Sequence, residues 1–237
     1  MIKKIVLILV VFFIPCDFLA QAGNAYYGKQ LPSASNENIT IEDNAFNQNI
    51  SNNVTSLEYR LKFNSNKALY TKNKSLNKDT DPVTQAIVEG VANFSGIVYY
   101  DRLSNSIIHQ KEFAGDTYLV TRNNIDWVLT KESQKIDDFV CYKAVSNRII
   151  KNSEGTFKLQ VIAWYSPEIP VPFGPDGYGG LPGLILQLQN NGITTFLKRI
   201  IFSDNKEINI LKPSKGIKMS ENEYEEIVAE VYKNRKN

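Results

Sequence analysis

Glu168 and Asp176 lie in a stretch in which Pro170, Pro172, Gly174, Pro175, Gly177, Gly179 and Gly180 crowd together. Two carboxylates at the mouth of one rigid loop are the residue types a glycan or peptide hydrolase uses, and a retaining glycosidase pair stands only about 5 Å apart. The structural alternative is that Asp176 caps the turn before Gly177 while Glu168 is solvated. Other chemistry is thinner. The single histidine, His109, shares one face with Ile107 and Lys111 on what reads as a surface strand, and no Ser or Cys motif accompanies it. One histidine and few cysteines fall short of the ligand set a metal site draws on, so neither metal nor cofactor is expected. Nucleophile-elbow, zinc-protease and phosphate-loop patterns are missing from the sequence. Aromatic residues on or beside the loop, Trp164, Tyr165, Phe173 and Tyr178, offer a stacking platform for a sugar or peptide. They could equally fold the loop back as a plug. Tyr165, Phe173, Asp176 and Tyr178 are the candidate binding residues, with Tyr178, between two glycines, expected to be the exposed one.

The prolines deny backbone donors and hold their predecessors extended, so residues 166–183 read as a rigid loop rather than helix or central strand. At its end, Leu181-Pro182-Gly183-Leu184 fits a type II turn, with Gly183 supplying the positive φ. Leu184, Ile185, Leu186 and Leu188, interleaved with Gln187 and Gln189, then read as a strand running into the core.

The six residues Gly180, Leu181, Pro182, Gly183, Leu184 and Ile185 resemble the signature of the GLPGLI family of secreted Bacteroidetes proteins. The order and spacing of Ile125-Asp-Trp127, Cys141-Tyr-Lys-Ala144, Ala163-Trp-Tyr165, Ile169-Pro170 and Gly174-Pro175 extend the resemblance over roughly residues 95–200. It implies a secreted protein of largely unassigned biochemistry, often encoded near TonB-dependent outer-membrane transporters. The family is also similar to the bowl-shaped N-terminal domain of a flavobacterial peptide:N-glycosidase, which implies an all-β module that accompanies a catalytic domain without being one.

Lys3 and Lys4, the apolar run Ile5–Ile14 and Ala20-Gln21-Ala22 have the three parts of a secretory signal peptide over residues 1–22, with cleavage after Ala20 as a competitor. The apolar run is too short to span a bilayer, and Pro15 spoils a lipobox at Cys16. A location in the periplasm or outside the cell is expected. Removing residues 1–22 takes out Lys3, Lys4 and Asp17 and lowers the formal charge from +2 to +1, a balance that argues against a nucleic-acid partner. Only Cys141 then remains, in an apolar strand, and a buried, unpaired thiol is expected.

Residues 23–55 are rich in Asn and Ser and read as an irregular lead; residues 71–82 read as a solvated polar insertion. From residue 56 to 237 the chain reads as one β-rich domain. Leu57, Tyr59, Leu61 and Phe63 alternate with polar residues. From Gly96 short strands follow at 97–103, 107–113, 116–121, 127–131, 138–145, 157–165, 184–189 and 193–202, the last two joined by an Asn190-Asn191-Gly192 hairpin. An antiparallel meander forming a sandwich or a curled half-barrel is expected. Ser220-Glu-Asn-Glu223 is a capping box opening an amphipathic helix over 221–234. The function expected is that of a non-enzymatic binding or accessory protein of the cell envelope. Its partner would be an outer-membrane TonB-dependent transporter or a peptide or glycan ligand, and the alternative is the carboxylate hydrolase.

Overall fold

Leu57, Tyr59, Leu61 and Phe63 are buried and the residues between them are not, so the period-2 pattern of the sequence is the pattern of the sheet. The computed structural model describes residues 21–32, 45–73, 80–152, 155–204 and 208–235. The expected leader up to residue 20, residues 33–44 of the expected lead and residues 74–79 of the expected polar insertion lie outside them. The strands are β1 (Gly23–Gln30), β2 (Tyr59–Phe63), β3 (Lys67–Lys72), β4 (Ile97–Asp101), β5 (Ser106–Phe113) and β6 (Asp116–Arg122). They continue as β7 (Val128–Ile136), β8 (Phe139–Asn152), β9 (Gly155–Ser166), β10 (Leu184–Asn190), β11 (Ile193–Phe202) and β12 (Ile217–Ser220). Helices α1 (Ala45–Ser56), α2 (Pro82–Val91) and α3 (Glu221–Arg235) complete the chain.

All twelve strands form one open sheet in the order β12-β6-β5-β4-β3-β2-β1-β11-β10-β9-β8-β7. Every neighbouring pair is antiparallel except β12 with β6. Glu221 shows how far this sheet bends. Its Oε1 lies 2.9 Å from Arg148 Nη2 on β8 and 3.4 Å from Arg122 Nε at the end of β6. Those strands are nine spacings apart in the sheet order, roughly 43 Å if the sheet were flat. One carboxylate can reach both only because the sheet curls on itself. Of the two arrangements expected, the curled half-barrel is the one adopted, and there is no second layer of sheet among the described residues.

The lead, expected to be irregular, is regular secondary structure over most of its described residues. Its first eight residues are β1, paired with β2 on one side and β11 on the other. Later in the lead, Asn- and Ser-rich residues form α1, which buries Ile50 and Val54 one turn apart. Asn and Ser are weak helix formers, so burial rather than propensity holds this helix. The polar insertion likewise begins inside β3 and ends at a helix start: Asp81 accepts hydrogen bonds from the amides of Val83 and Thr84, and Pro82 opens α2. The capping box forms as expected. The Ser220 amide donates to Glu223 at 2.6 Å, and the Glu223 amide donates back to Ser220 Oγ at 3.3 Å.

The core on the inner side of the curl is aromatic. Tyr59 and Tyr70 stack at 5.7 Å, and Phe94 meets both rings edge-on. The residues from Ser166 to Leu184 cross this inner side as the plug of the half-barrel.

Candidate functional site

The plug is where the sequence places the candidate site, and its rings turn inward. Phe173 is fully buried and meets Tyr100 of β4 at 5.3 Å between ring centres. Tyr165 packs with Tyr178, Leu181 and Ile185. Tyr178, expected to be exposed, is 4% exposed. Its hydroxyl accepts a hydrogen bond from Asn190 Nδ2 at 3.0 Å, the Arg122 guanidinium lies 5.8 Å from its ring, and Trp127 tilts against it. Trp127 Nε1 donates to the Gly179 carbonyl at 2.9 Å and fixes the neighbouring backbone. The stacking platform is therefore replaced by a core plug. Trp164 lies on the opposite face of β9 from Tyr165, with the Lys143 ammonium 5.9 Å from its ring.

The turn at the signature also differs from expectation. Gly183 N donates to Leu181 O at 2.8 Å, a three-residue turn around Pro182, and the Leu184 amide reaches back to Ile169 O instead of closing a type II turn. Gly183 has φ 158°, near extended backbone, so its role is not the positive φ of a type II turn. Glycine is required here by proximity: a Cβ would stand 2.1 Å from Ser166 O.

The two carboxylates are held apart by different partners. Glu168 Oε1 accepts the Val140 amide at 2.9 Å over β8. Asp176, in a left-handed conformation at φ 55°, extends Oδ2 to Lys29 Nζ on β1 at 2.8 Å and accepts from Thr195 Oγ1 at 3.4 Å. Lys29 is 1% exposed, and its ammonium lies over the rings of Tyr59 and Phe94. Burial first, then the Asp176 charge, push the Tyr70 phenol well above its ordinary value. Asp176 is thus the anchor of the plug.

His109 is a second correction. It is buried rather than on the surface, stacks on Phe94 at 5.6 Å, and donates from Nε2 to the Ser95 carbonyl at 2.7 Å. Desolvation, aided by the Lys111 charge, lowers its pKa from 6.5 to about 3. The unfolded chain takes up this proton near pH 6.5 and the folded chain only near pH 3. Stability is therefore full above 6.5 and falls as the pH drops through that window, by about 1.4 kcal/mol per pH unit. Because His109 is the only histidine, the loss between pH 6.5 and 5 belongs to it. Urea midpoints should fall across that interval in the native protein and stay flat in His109→Gln. Cys141 is fully buried and unpaired, as expected, and burial pushes its thiol up to about 11.

An open groove of about 780 Å³ was not foreseen. Alternation fixes its face: Leu188, Ala163 and Thr195 point to the plug, so their neighbours Gln187, Gln189, Ile162 and Thr194 point away from it. One row across four strands reads Gln30, Thr194, Gln189, Ile162, and the adjoining row carries Phe196 and Gln187. Gln160, Asn191 and Asp137 stand at its margins. The side-chain amides of Gln30, Gln160, Gln187 and Gln189 make no hydrogen bond to another described residue. The sequence shows Gln187 and Gln189 only as the wet side of a strand; that four strands align their amides in one groove depends on long-range register. Among the described residues, no group of three or more His, Cys, Asp or Glu could hold a metal ion, and no helix is long and apolar enough to cross a membrane.

Residues 151–187 match the model of a Bacteroidetes-associated family described as protein of unknown function, Porph_ging. That segment runs from the end of β8 through β9 and the plug into β10, so the plug lies inside the part of the chain that carries the likeness. No curated protein matches the sequence. The fold is similar to PNGF-II, solved in space groups C2 and P21. Identity is 17% and 18%, the TM-scores are 0.53 and 0.52, and each alignment covers 88% of this chain. The chain spans 33% of the length of those structures.

Proposed function

We propose that the protein is an exported, non-enzymatic binding module of the GLPGLI type that holds its ligand in the amide-lined groove. The observation that carries this reading is the contrast between the two faces. On the plug side Lys29, Asp176, Thr195, Tyr178 and Trp127 are bonded to one another, to Asn190 or to the backbone, whereas the groove side presents four glutamine amides with no partner among the described residues, in a concavity of about 780 Å³, within the range of small-ligand sites. The hydrolase alternative needs two carboxylates at one mouth, and here Asp176 serves Lys29 while Glu168 serves the Val140 amide. In this reading the N-terminal leader sends the chain to the periplasm or beyond, where it serves as an accessory to an outer-membrane transporter or as a carrier.

The test is to incubate the mature protein with fluorescently labelled peptides and glycans released from the native envelope. The expected result is retention of ligand of unchanged mass, and loss of that retention in Gln187→Ala/Gln189→Ala. Appearance of cleaved products with the native protein would overturn the binding reading in favour of a hydrolase.

A further inference from the structure

The lining of the groove specifies what it takes, and the argument rests on the binding reading above. Among the described residues, lysine and arginine are absent from its lining, and Asp137 supplies its one carboxylate. A polyanion would find no cation among those lining residues, since the Lys198 ammonium beside Phe196 is turned to the Thr55 and Leu57 carbonyls, and a polycation would find only that single charge. The groove also lies across β1, β11, β10 and β9 rather than along an edge, and the backbone groups of these strands are spent on the sheet ladders. A peptide strand therefore has no main-chain ladder to join, which is the usual source of affinity for an extended peptide.

What remains is a set of planar amides, each able to donate and to accept, set around an apolar floor. Gln187 and Gln189 stand two residues apart on β10, Thr194 lies beside Gln189 on β11, and Phe196 lies beside Gln187. Sugar hydroxyls also both donate and accept, and vicinal pairs match the two-sided geometry of a carboxamide or of Asp137. The aliphatic face of a pyranose ring suits Phe196 and Ile162. The unpartnered amides are held on strands rather than on a loop, so little ordering is needed on binding. We propose that this groove binds a short neutral oligosaccharide, with the Gln187 and Gln189 amides bonding its hydroxyls and Phe196 supporting a ring face.

The test is NMR titration of the side-chain amide resonances of the mature protein with cellotetraose, maltotetraose, mannotetraose and chitotetraose. Oligogalacturonate and a neutral Gly-Ser hexapeptide are the comparison ligands. At least one neutral tetrasaccharide should shift the Gln187 and Gln189 amides saturably. Gln187→Ala/Gln189→Ala should weaken it by about tenfold or more, the scale of one or two lost hydrogen bonds, with an unchanged melting temperature. The proposal is overturned if none of the four sugars shifts those resonances, if the shifts map to the plug face, or if the hexapeptide or the uronate binds more tightly. Retention of envelope ligand that depends on Gln187 and Gln189, without binding of any tetrasaccharide, would sink the sugar assignment and leave the binding reading standing. Loss of both would remove the two together.

Discussion

Lys29→Met is expected to destabilise the protein by about 3–5 kcal/mol, because it leaves the Asp176 carboxylate inside the curl without its cation. Lys29 is 1% exposed and its ammonium is enclosed by Asp176, Tyr59 and Phe94. The Asp176 side chain is 14% exposed, and its Oδ1 finds no hydrogen-bond partner among the described residues. Water therefore has little room to replace the lost charge. Pairing the change with Asp176→Asn removes the orphaned charge and keeps a residue that tolerates the left-handed backbone at φ 55°. The double variant should recover most of the loss in urea unfolding. A Lys29→Met cost below about 1 kcal/mol, the level of exposed pairs, would show that the ion pair is hydrated and that something else anchors the plug.

Gly183→Ala is the second large effect, with about 3 kcal/mol or more expected because the intruding methyl meets backbone and not a movable side chain. The added carbon would stand 2.1 Å from Ser166 O, 2.5 Å from Ser166 C and 2.8 Å from Pro167 N. These atoms begin the plug, so relief requires moving its first residues away from β10. Gly90→Ala is the internal control: it lies in α2 with open space around it, and a gain of about 0.5–1 kcal/mol is expected there from the lost freedom of the unfolded chain. Thermal melts of the two variants should move in opposite directions. If Gly183→Ala melts with the native protein, the close packing of Gly183 on Ser166 is not what the signature glycine serves.

The strands from β4 to β11 were legible in place and order because their alternation, their turns and the Asn190-Asn191-Gly192 hairpin are local signals, but β7 and β8 run five and seven residues past the ends expected at 131 and 145. That hairpin places Asn191 at φ 50° and Gly192 at φ 77°, the two positive values of a type I′ turn. The capping box of α3 was legible for the same reason. β1 was not, because its inner face reads Ala25, Tyr27, Lys29, and a lysine on that face breaks the apolar pattern. Its justification, Asp176, lies 147 positions away. Pro/Gly density located the plug, but which way Tyr178 points depends on Arg122 and Trp127, more than fifty positions away, and on Asn190 at the end of the next strand. His109 reads as a surface residue because Gln110, Lys111 and Glu112 follow it on β5, and the packing of Phe94 against it is what reveals burial. α2 is the exception: Asp81-Pro82 was a readable start signal that the polar run before it obscured.

The place of β1 bears on how the molecule assembles. On one side stand β2 to β6 and on the other β11 back to β7, each a run of mostly consecutive hairpins that can zip up locally. Only β1 joins them, and its register sets Gly23 beside Phe63 in one direction and beside Phe202 in the other. The first strand of the described chain must therefore await partners made near the end of it, a loop closure that slows folding far more than it lowers stability. A chain whose two halves are complete but whose β1 is undocked would be two separate sheets with exposed edges. That late step is the interval in which such edges are open to chaperones, to proteases and to other copies of the same chain.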